Sequence, residues 1–222
     1  MPDFPLHLRD GHLFLELEGN LWLVDTGSPT SFGAVHELAI AGEHFTVEPD
    51  QLGLTPETLS GFTGVPCTGL LGADVLSRFD HVLDTARGVL TIATDELQLA
   101  GHELALDEFM GIPIVDARVD GHDHRMFFDT GAQLSYFQDD ALTTFPFAGT
   151  VEDFYPGAGR FETATYDVPV SLADVDFTLR CGALPGLLGM TLMMAGTSGI
   201  VGNAIVADRK VGYFPRRGRL VL

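Results

Sequence analysis

Leu21–Phe32, "LWLVDTGSPTSF", and Arg125–Phe137, "RMFFDTGAQLSYF", say nearly the same thing twice in one chain. Each is an apolar run of strand character ending in Asp-Thr-Gly, and Asp25 and Asp129 stand 104 residues apart. An Asp just beyond a buried strand sits on a tight turn when Thr and Gly follow it. The glycine permits close backbone approach, and the threonine hydroxyl can hydrogen-bond across to a counterpart. If two such turns pack about an internal twofold axis, Asp25 and Asp129 meet there. Two carboxyl groups in contact cannot both ionise cheaply, so they share one proton. Such a pair can activate a water with one member and protonate a leaving group with the other.

The duplication extends beyond this signature. "LAIAGEHFTVE" at 38–48 matches "VSLADVDFTLR" at 170–180, and "GLLGADVL" at 69–76 pairs with "GLLGMTLM" at 186–193. Both halves then read hairpin, D-T-G-small, strand pair, G-L-L-G, helix, closing strand. Apolar residues alternate with period two across "HLFLELEGNLWLV", "GVLTIAT" and "YDVPVSLADVDFTLR". Helical spacing is confined to "TPETLSGF", "ADVLSRF" and "QDDALTTF". The expected fold is all-β with internal pseudo-twofold symmetry: an N-terminal lobe over 1–100, a C-terminal lobe over 101–222, and a joint within 95–113.

Composition narrows the function. A chain of 222 residues that is 45% apolar has material for one core or two. Its longest apolar runs, such as 187–194, fall far short of the roughly 20 residues a spanning helix needs. Met1-Pro2-Asp3-Phe4 has no basic stretch leading an apolar one, so a cytoplasmic protein without a signal peptide is expected. A formal charge of −19 repels nucleic acid and anionic membrane, and neither is expected as a partner. Cys67 and Cys181 are expected to be unpaired thiols. Arg209, Lys210, Arg216, Arg217 and Arg219 crowd the last fourteen positions and are expected to lie against the chain's own acidic surface. His122 and His124 in "GHDHR" have a spacing that two metal ligands on a strand could share. With no third ligand in view they are read as a solvated hairpin turn, and neither metal nor organic cofactor is expected.

On Asp25-Thr26-Gly27-Ser28 and Asp129-Thr130-Gly131-Ala132 the chain resembles the aspartic peptidases, over nearly its whole length. Leu70-Leu71-Gly72 and Leu187-Leu188-Gly189 look like the hydrophobic-hydrophobic-Gly element that accompanies each signature. "GLLGADVLSRFDHVLDTARGVLTI" is similar to the closing segment of retropepsin-like domains. The resemblance implies a bilobal, double-psi β-barrel fold and an endopeptidase with Asp25 and Asp129 as its dyad. Thr26 and Thr130 would be the hydrogen-bonded grip beneath the dyad, and Gly27 and Gly131 would present backbone N–H groups to the carboxylates. The Ser28 hydroxyl is expected to donate to Asp25, whereas Ala132 offers no hydroxyl to Asp129. In size the chain looks like two retropepsin units fused, which implies a monomer acting on peptide or protein substrates.

The halves differ in one interval. Asp129 to Phe177 spans 48 residues, and Asp25 to Phe45 only 20. The surplus includes "FYPGAGRFETATYDVPV", whose G-x-G-x-F from Gly157 to Phe161 resembles the glycine-rich tip of the retropepsin flap, the hairpin that folds over bound substrate. Tyr155, Gly157, Ala158, Gly159 and Phe161 are the flap residues so implied, on the C-terminal half alone. The first half instead carries "PDQLGLTPETLSGFTGV" after its matched strand. A non-proteolytic module that keeps the fold to hold a peptide is the competing class. Two intact Asp-Thr-Gly copies favour the enzyme, because facing carboxylates cost stability that binding alone does not require.

Overall fold

The computed structural model describes residues 2–155 and 159–222. The first half runs β1 (Asp3–Arg9), β2 (His12–Leu17), β3 (Asn20–Val24), β4 (Phe32–Gly33), β5 (Glu37–Ile40) and β6 (Glu43–Thr46). It continues with α1 (Pro56–Thr63), β7 (Gly69–Leu71), α2 (Ala73–Leu76), β8 (Asp80–Asp84) and β9 (Val89–Ala93). The second half runs β10 (Glu103–Ala105), β11 (Asp107–Phe109), β12 (Ile112–Val119), β13 (His122–Phe128) and β14 (Ser135–Phe137). After a 3₁₀ turn at Asp140–Thr144 come β15 (Phe147–Tyr155), β16 (Gly159–Leu172), β17 (Val175–Gly182) and α3 (Gly186–Met194). It closes with β18 (Gly199–Val201), a 3₁₀ turn at Asn203–Val206, β19 (Lys210–Phe214) and β20 (Arg219–Val221).

Matched turns carry the duplication into three dimensions. Each half opens on two hairpins whose turn residues both have positive φ, Asp10-Gly11 and Glu18-Gly19 in the first, Met110-Gly111 and Asp120-Gly121 in the second. Ala41-Gly42 and Ala173-Asp174 do the same for β5–β6 and β16–β17. Two successive left-handed residues make the turn whose twist suits a hairpin, which is why these pairs punctuate the alternating segments.

Three strands from each half build a central antiparallel sheet in the order β10-β20-β19-β8-β9-β1. Its midline is the pairing of β8 with β19, from Lys210 opposite Asp84 to Tyr213 opposite His81. β1 pairs with β9 through its first residues and with β2 through its last, and so leads on into the β1-β2-β3-β7-β4 layer of the first lobe. In the second half that role is divided between β10 and β11, and the lobe is ordered β11-β12-β13-β18-β14-β17-β16-β15. Trp22, Phe14, Phe32, Phe79, Phe128, Phe137 and Phe214 are fully buried. Each large apolar side chain withdrawn from water stabilises the fold by roughly 1.5–3 kcal/mol.

One expected match between the halves is corrected. β7 lies parallel to β3, with Leu70 opposite Leu23, and the strand that does this in the second half is β18, with Ile200 opposite Phe127. The partner of Leu70-Leu71-Gly72 is therefore Ile200-Val201-Gly202. Leu187-Leu188-Gly189 belongs to α3, a helix that precedes β18 as α1 precedes β7. A four-residue apolar run looks the same in a buried strand and a buried helix, so periodicity could not separate the two. With this match, Phe45 to Leu70 and Phe177 to Ile200 are intervals of 25 and 23 residues. The first half thus has no extra segment after its matched strand, and the surplus of the second lies in the 3₁₀ turn and the β15–β16 hairpin. "QDDALTTF" forms that 3₁₀ turn rather than an α-helix, with the Asp139 carboxylate accepting from the Ala141 N–H at 2.8 Å.

The basic residues near the C-terminus are structural. Arg216 and Arg217 converge on Asp80, which is fully buried, at 3.1 and 2.5 Å. Arg217 also lies over the Phe214 ring at 4.4 Å. Cys67 and Cys181 are both unpaired, and burial raises both thiols, Cys181 to about 12. Among the described residues no helix is long and apolar enough to cross a membrane.

Candidate active site

Asp25 and Asp129 follow directly on the inner strands β3 and β13, and each is placed by its short parallel neighbour. The Asp25 N–H donates to the Leu71 carbonyl and the Asp129 N–H to the Val201 carbonyl, both at 3.0 Å. The loop beyond each aspartate is tied back by the glycine that follows the short strand. Gly72 N–H donates to Ser31 Oγ at 2.8 Å, and Gly202 N–H donates to Ser135 Oγ at 3.0 Å. Ala73 N–H reaches the Ser28 carbonyl and Asn203 N–H the Ala132 carbonyl, each at 2.8 Å. A Cβ on Gly202 would stand 2.6 Å from the Leu134 carbonyl oxygen, so only glycine lets the strand approach the loop this closely.

Thr26 and Thr130 cross between the lobes beneath the aspartates. Thr130 Oγ1 accepts from the Thr26 N–H at 3.1 Å and donates to the Val24 carbonyl at 2.7 Å. Thr26 Oγ1 reciprocates, accepting from the Thr130 N–H at 3.0 Å and donating to the Phe128 carbonyl at 2.7 Å. Both threonines are buried, so these bonds form away from competing water. Four reciprocal bonds fix the two signature turns relative to one another.

Above this grip the carboxyl groups meet and share a hydrogen bond. A Cβ on Gly27 would lie 2.2 Å from the Asp129 carboxyl carbon, and one on Gly131 2.4 Å from that of Asp25. Each glycine thus leaves the space that the opposite carboxyl occupies. Asp25 Oδ1 accepts from the Gly27 and Ser28 N–H groups, both at 2.9 Å, and Asp129 Oδ1 from those of Gly131 and Ala132 at 2.9 and 3.1 Å. Burial and then the neighbouring Asp129 charge push the Asp25 carboxyl well above the usual carboxylate range. Burial also raises Asp129, but the hydrogen bond from Asp25 and the two N–H groups pull it back. Both carboxyls are raised, so the pair titrates as a unit and shares one proton. The Ser28 hydroxyl does not take the place expected of it: it lies 3.0 Å from the Thr30 carbonyl and 2.9 Å from Gln51 Oε1. Ser28 and Ala132 therefore serve the dyad alike, through their backbone N–H groups.

The dyad lies on the floor of a cleft of ≈ 330 Å³. Its walls are largely apolar, with Leu54, Leu59 and Leu70 from the first lobe and Leu184, Leu192 and Ile200 from the second. Tyr155, at the end of β15, lines the cleft and has its hydroxyl raised by burial and by the charges of Asp129 and Asp25. The β15–β16 hairpin reaches the first lobe as well: Phe154 stacks on Phe62 of α1 at 4.6 Å, and an Arg160 N–H donates to the Gly61 carbonyl at 3.1 Å. Gly159 opens β16, opposite Tyr155. Phe161 is not a cleft residue; it pairs with Asp153 across the hairpin and packs near Tyr136, with ring centroids 6.4 Å apart. Gly157 and Ala158 lie outside the described residues. Between β4 and β5 the first lobe has three residues, 34–36, where the second has this hairpin.

Several site residues were not anticipated from sequence. His12 lines the cleft from β2, and its Nδ1–H donates to the Gly131 carbonyl at 3.2 Å, the role that a carbonyl partner dictates. Asp153 and Tyr136 also line it, the Tyr136 hydroxyl donating to Asp153 Oδ2. Ser31 and Ser135 each stand six residues beyond a dyad aspartate, so the repeat itself held the signal for them. His122 and His124 lie on β13, where His124 Nδ1 is 3.2 Å from Ser198 Oγ.

No family model matches the chain, and no curated protein does. Among solved structures it is similar to the aspartic proteinase from Irpex lacteus, with TM-score 0.51 and 12% identity over 99% of this chain and 96% of that one. It is also similar to basic 7S globulin from soybean, with TM-score 0.50 and 11% identity over 98% and 93%. Likeness at such identity bears on architecture alone, and what it shows is that this chain has the bilobal aspartic-protease fold.

Proposed function

We propose that the protein is an aspartic endopeptidase. The observation that carries the reading is the pair of carboxyl groups joined by one hydrogen bond on the floor of an apolar cleft, each held by two backbone N–H groups. In this reading the ionised member of the pair takes a proton from a water lodged between the carboxyls. The protonated member gives its proton to the carbonyl oxygen of the peptide bond as the water oxygen attacks the carbon. Collapse of the tetrahedral intermediate sends a proton to the leaving nitrogen and restores the pair. The β15–β16 hairpin acts as the single flap, with Tyr155 excluding bulk water from the reacting atoms. Both dyad members come from one chain, which supports a monomer. Two unpaired thiols are in keeping with a cytoplasmic location.

Incubating wild type, Asp25→Asn and Asp129→Asn with a diverse peptide library, read by mass spectrometry, tests the reading. Cleavage by wild type that both variants lack is expected, and equal cleavage by either variant would refute it. A second reading, a peptide-binding module without turnover, draws on one observation: a neighbour in fold carries the name of a globulin rather than a proteinase. It expects wild type to bind library peptides and leave them intact.

A further inference from the structure

We propose that the cleft selects peptides carrying a basic side chain, lysine or arginine, beside the bond that is cut, and that Asp153 is the carboxylate that receives it. The words "bond that is cut" rest on the peptidase reading, whereas the preference in binding does not. Asp153 stands two residues before Tyr155 on β15, so both side chains project from the same face of the strand, toward the dyad. It lines the cleft at only 7% exposure. Its Oδ2 accepts from the Tyr136 hydroxyl, and its Oδ1 from the Phe154 N–H at 2.8 Å. Tyr136 lies on β14, the strand that follows the Asp129 loop, so this carboxylate is held from the lobe segment next to the dyad.

A cation to match it is missing. Neither lysine nor arginine is found among the residues lining the cleft, and among the described residues none pairs with Asp153. His12 faces it, but burial keeps that imidazole below its ordinary pKa and therefore neutral at neutral pH. A buried carboxylate without a counter-charge is only partly satisfied by two neutral donors. A lysine or arginine from a peptide fits what is left. Its methylene stem suits the apolar walls, and its charged end meets Asp153. The formal charge of −19 also draws cationic peptides toward the molecule.

The competing role for Asp153 is to anchor the Tyr136 ring and nothing more. Asp153→Asn separates the two, since an amide oxygen still accepts from Tyr136 while the charge is gone. Peptides differing only in lysine against norleucine are placed at successive positions around the cut site found in the library. In wild type, lysine at one position is expected to raise kcat/KM at least tenfold over norleucine, and in Asp153→Asn that ratio should fall below threefold. The same peptide pairs titrated by fluorescence anisotropy against Asp25→Asn protein should give a Kd ratio of the same sense, which Asp25→Asn/Asp153→Asn loses. Equal affinities for the lysine and norleucine peptides would overturn the proposal, as would an unchanged ratio without Asp153. Failure of wild type to cut any peptide would instead sink the peptidase reading, and the Kd ratio would still decide the role of Asp153. That ratio needs no change at Asp153, so it remains informative if the Asp153 variant does not fold.

Discussion

At the scale of single residues, the dyad and His81 respond to pH in opposite directions. Asp25 sits above its unfolded pKa of 3.8, so the folded chain holds its proton more tightly. Its contribution to stability is complete below that value and is lost as the pH rises toward the folded pKa. Asp25→Asn or Asp129→Asn removes one of two facing carboxyls, so either variant should abolish turnover while the melting temperature stays level or rises. Calorimetry beside a peptide assay checks this. His81 lies fully buried under the grip, its Nε2–H donating to the Leu76 carbonyl at 2.7 Å and its ring stacked on Tyr213. Burial lowers it from 6.5 to about 4, so between those values the unfolded chain binds the extra proton. The stabilisation is whole above pH 6.5 and shrinks by about 3 kcal/mol as the pH falls to 4. His81→Phe removes that dependence. In urea titrations the stability difference between wild type and variant should narrow by about this amount from pH 7 to pH 4, and a constant difference would refute the account. Because the Ser28 hydroxyl is engaged with Thr30 and Gln51 rather than with Asp25, Ala132→Ser should leave the pH dependence of turnover unchanged.

At the scale of elements, the β15–β16 hairpin is held to α1 of the other lobe by the Phe62–Phe154 stack and by Arg160. An aromatic pair contributes about 0.5–1.5 kcal/mol beyond its buried area, equivalent to roughly a two- to twelvefold change in an equilibrium. Phe62→Ala should lower kcat/KM by about that factor while circular dichroism stays unchanged, since α1 keeps Leu59 and Thr63 buried. Gly202→Ala is harsher, because its Cβ would press on the Ala132–Leu134 loop that carries Asp129. Loss of most turnover is expected there, read by active-site titration. The elements also show where sequence reading runs out. The aspartates, the threonine grip and the hairpins were legible because each depends on residue types that geometry leaves few alternatives to: Asp-Thr-Gly twice, and X-Gly turns. The short strand β18 was not, because Ile200-Val201 resembles Leu70-Leu71 less than the helical Leu187-Leu188 does. His12 and Asp153 stand in alternating segments where sequence tells one face from the other but not which face looks into a cleft. The hairpin's contact with α1 joins residues 99 apart that share no pattern.

At the scale of the whole molecule, the lobes are halves of one structure. The central sheet closes only when β8 meets β19, so a fragment of residues 1–100 or 101–222 would expose that edge, with its unpaired backbone groups. The expected boundary falls in the connection from β9 to β10, yet this segment is itself part of the junction. Leu97 packs with Val82, Phe214 and Val221, and its N–H donates to Asp80 Oδ2 at 2.9 Å. Asp80 is therefore the point where first half, connection and second half are tied, through Leu97, Arg216 and Arg217. A buried pair of this kind adds little over well-packed apolar residues, but removing one partner strands the other, at about 3–5 kcal/mol. Asp80→Asn keeps the size and an acceptor oxygen while removing the charge that both arginines face. It should destabilise the protein by about that amount in urea titration. Because Asp80 is shielded from solvent, the loss should persist at 0.5 M salt, where the exposed Arg118–Asp123 pair contributes almost nothing. A loss under about 1 kcal/mol, or one that salt erases, would mean that the halves are held by sheet pairing and apolar burial alone.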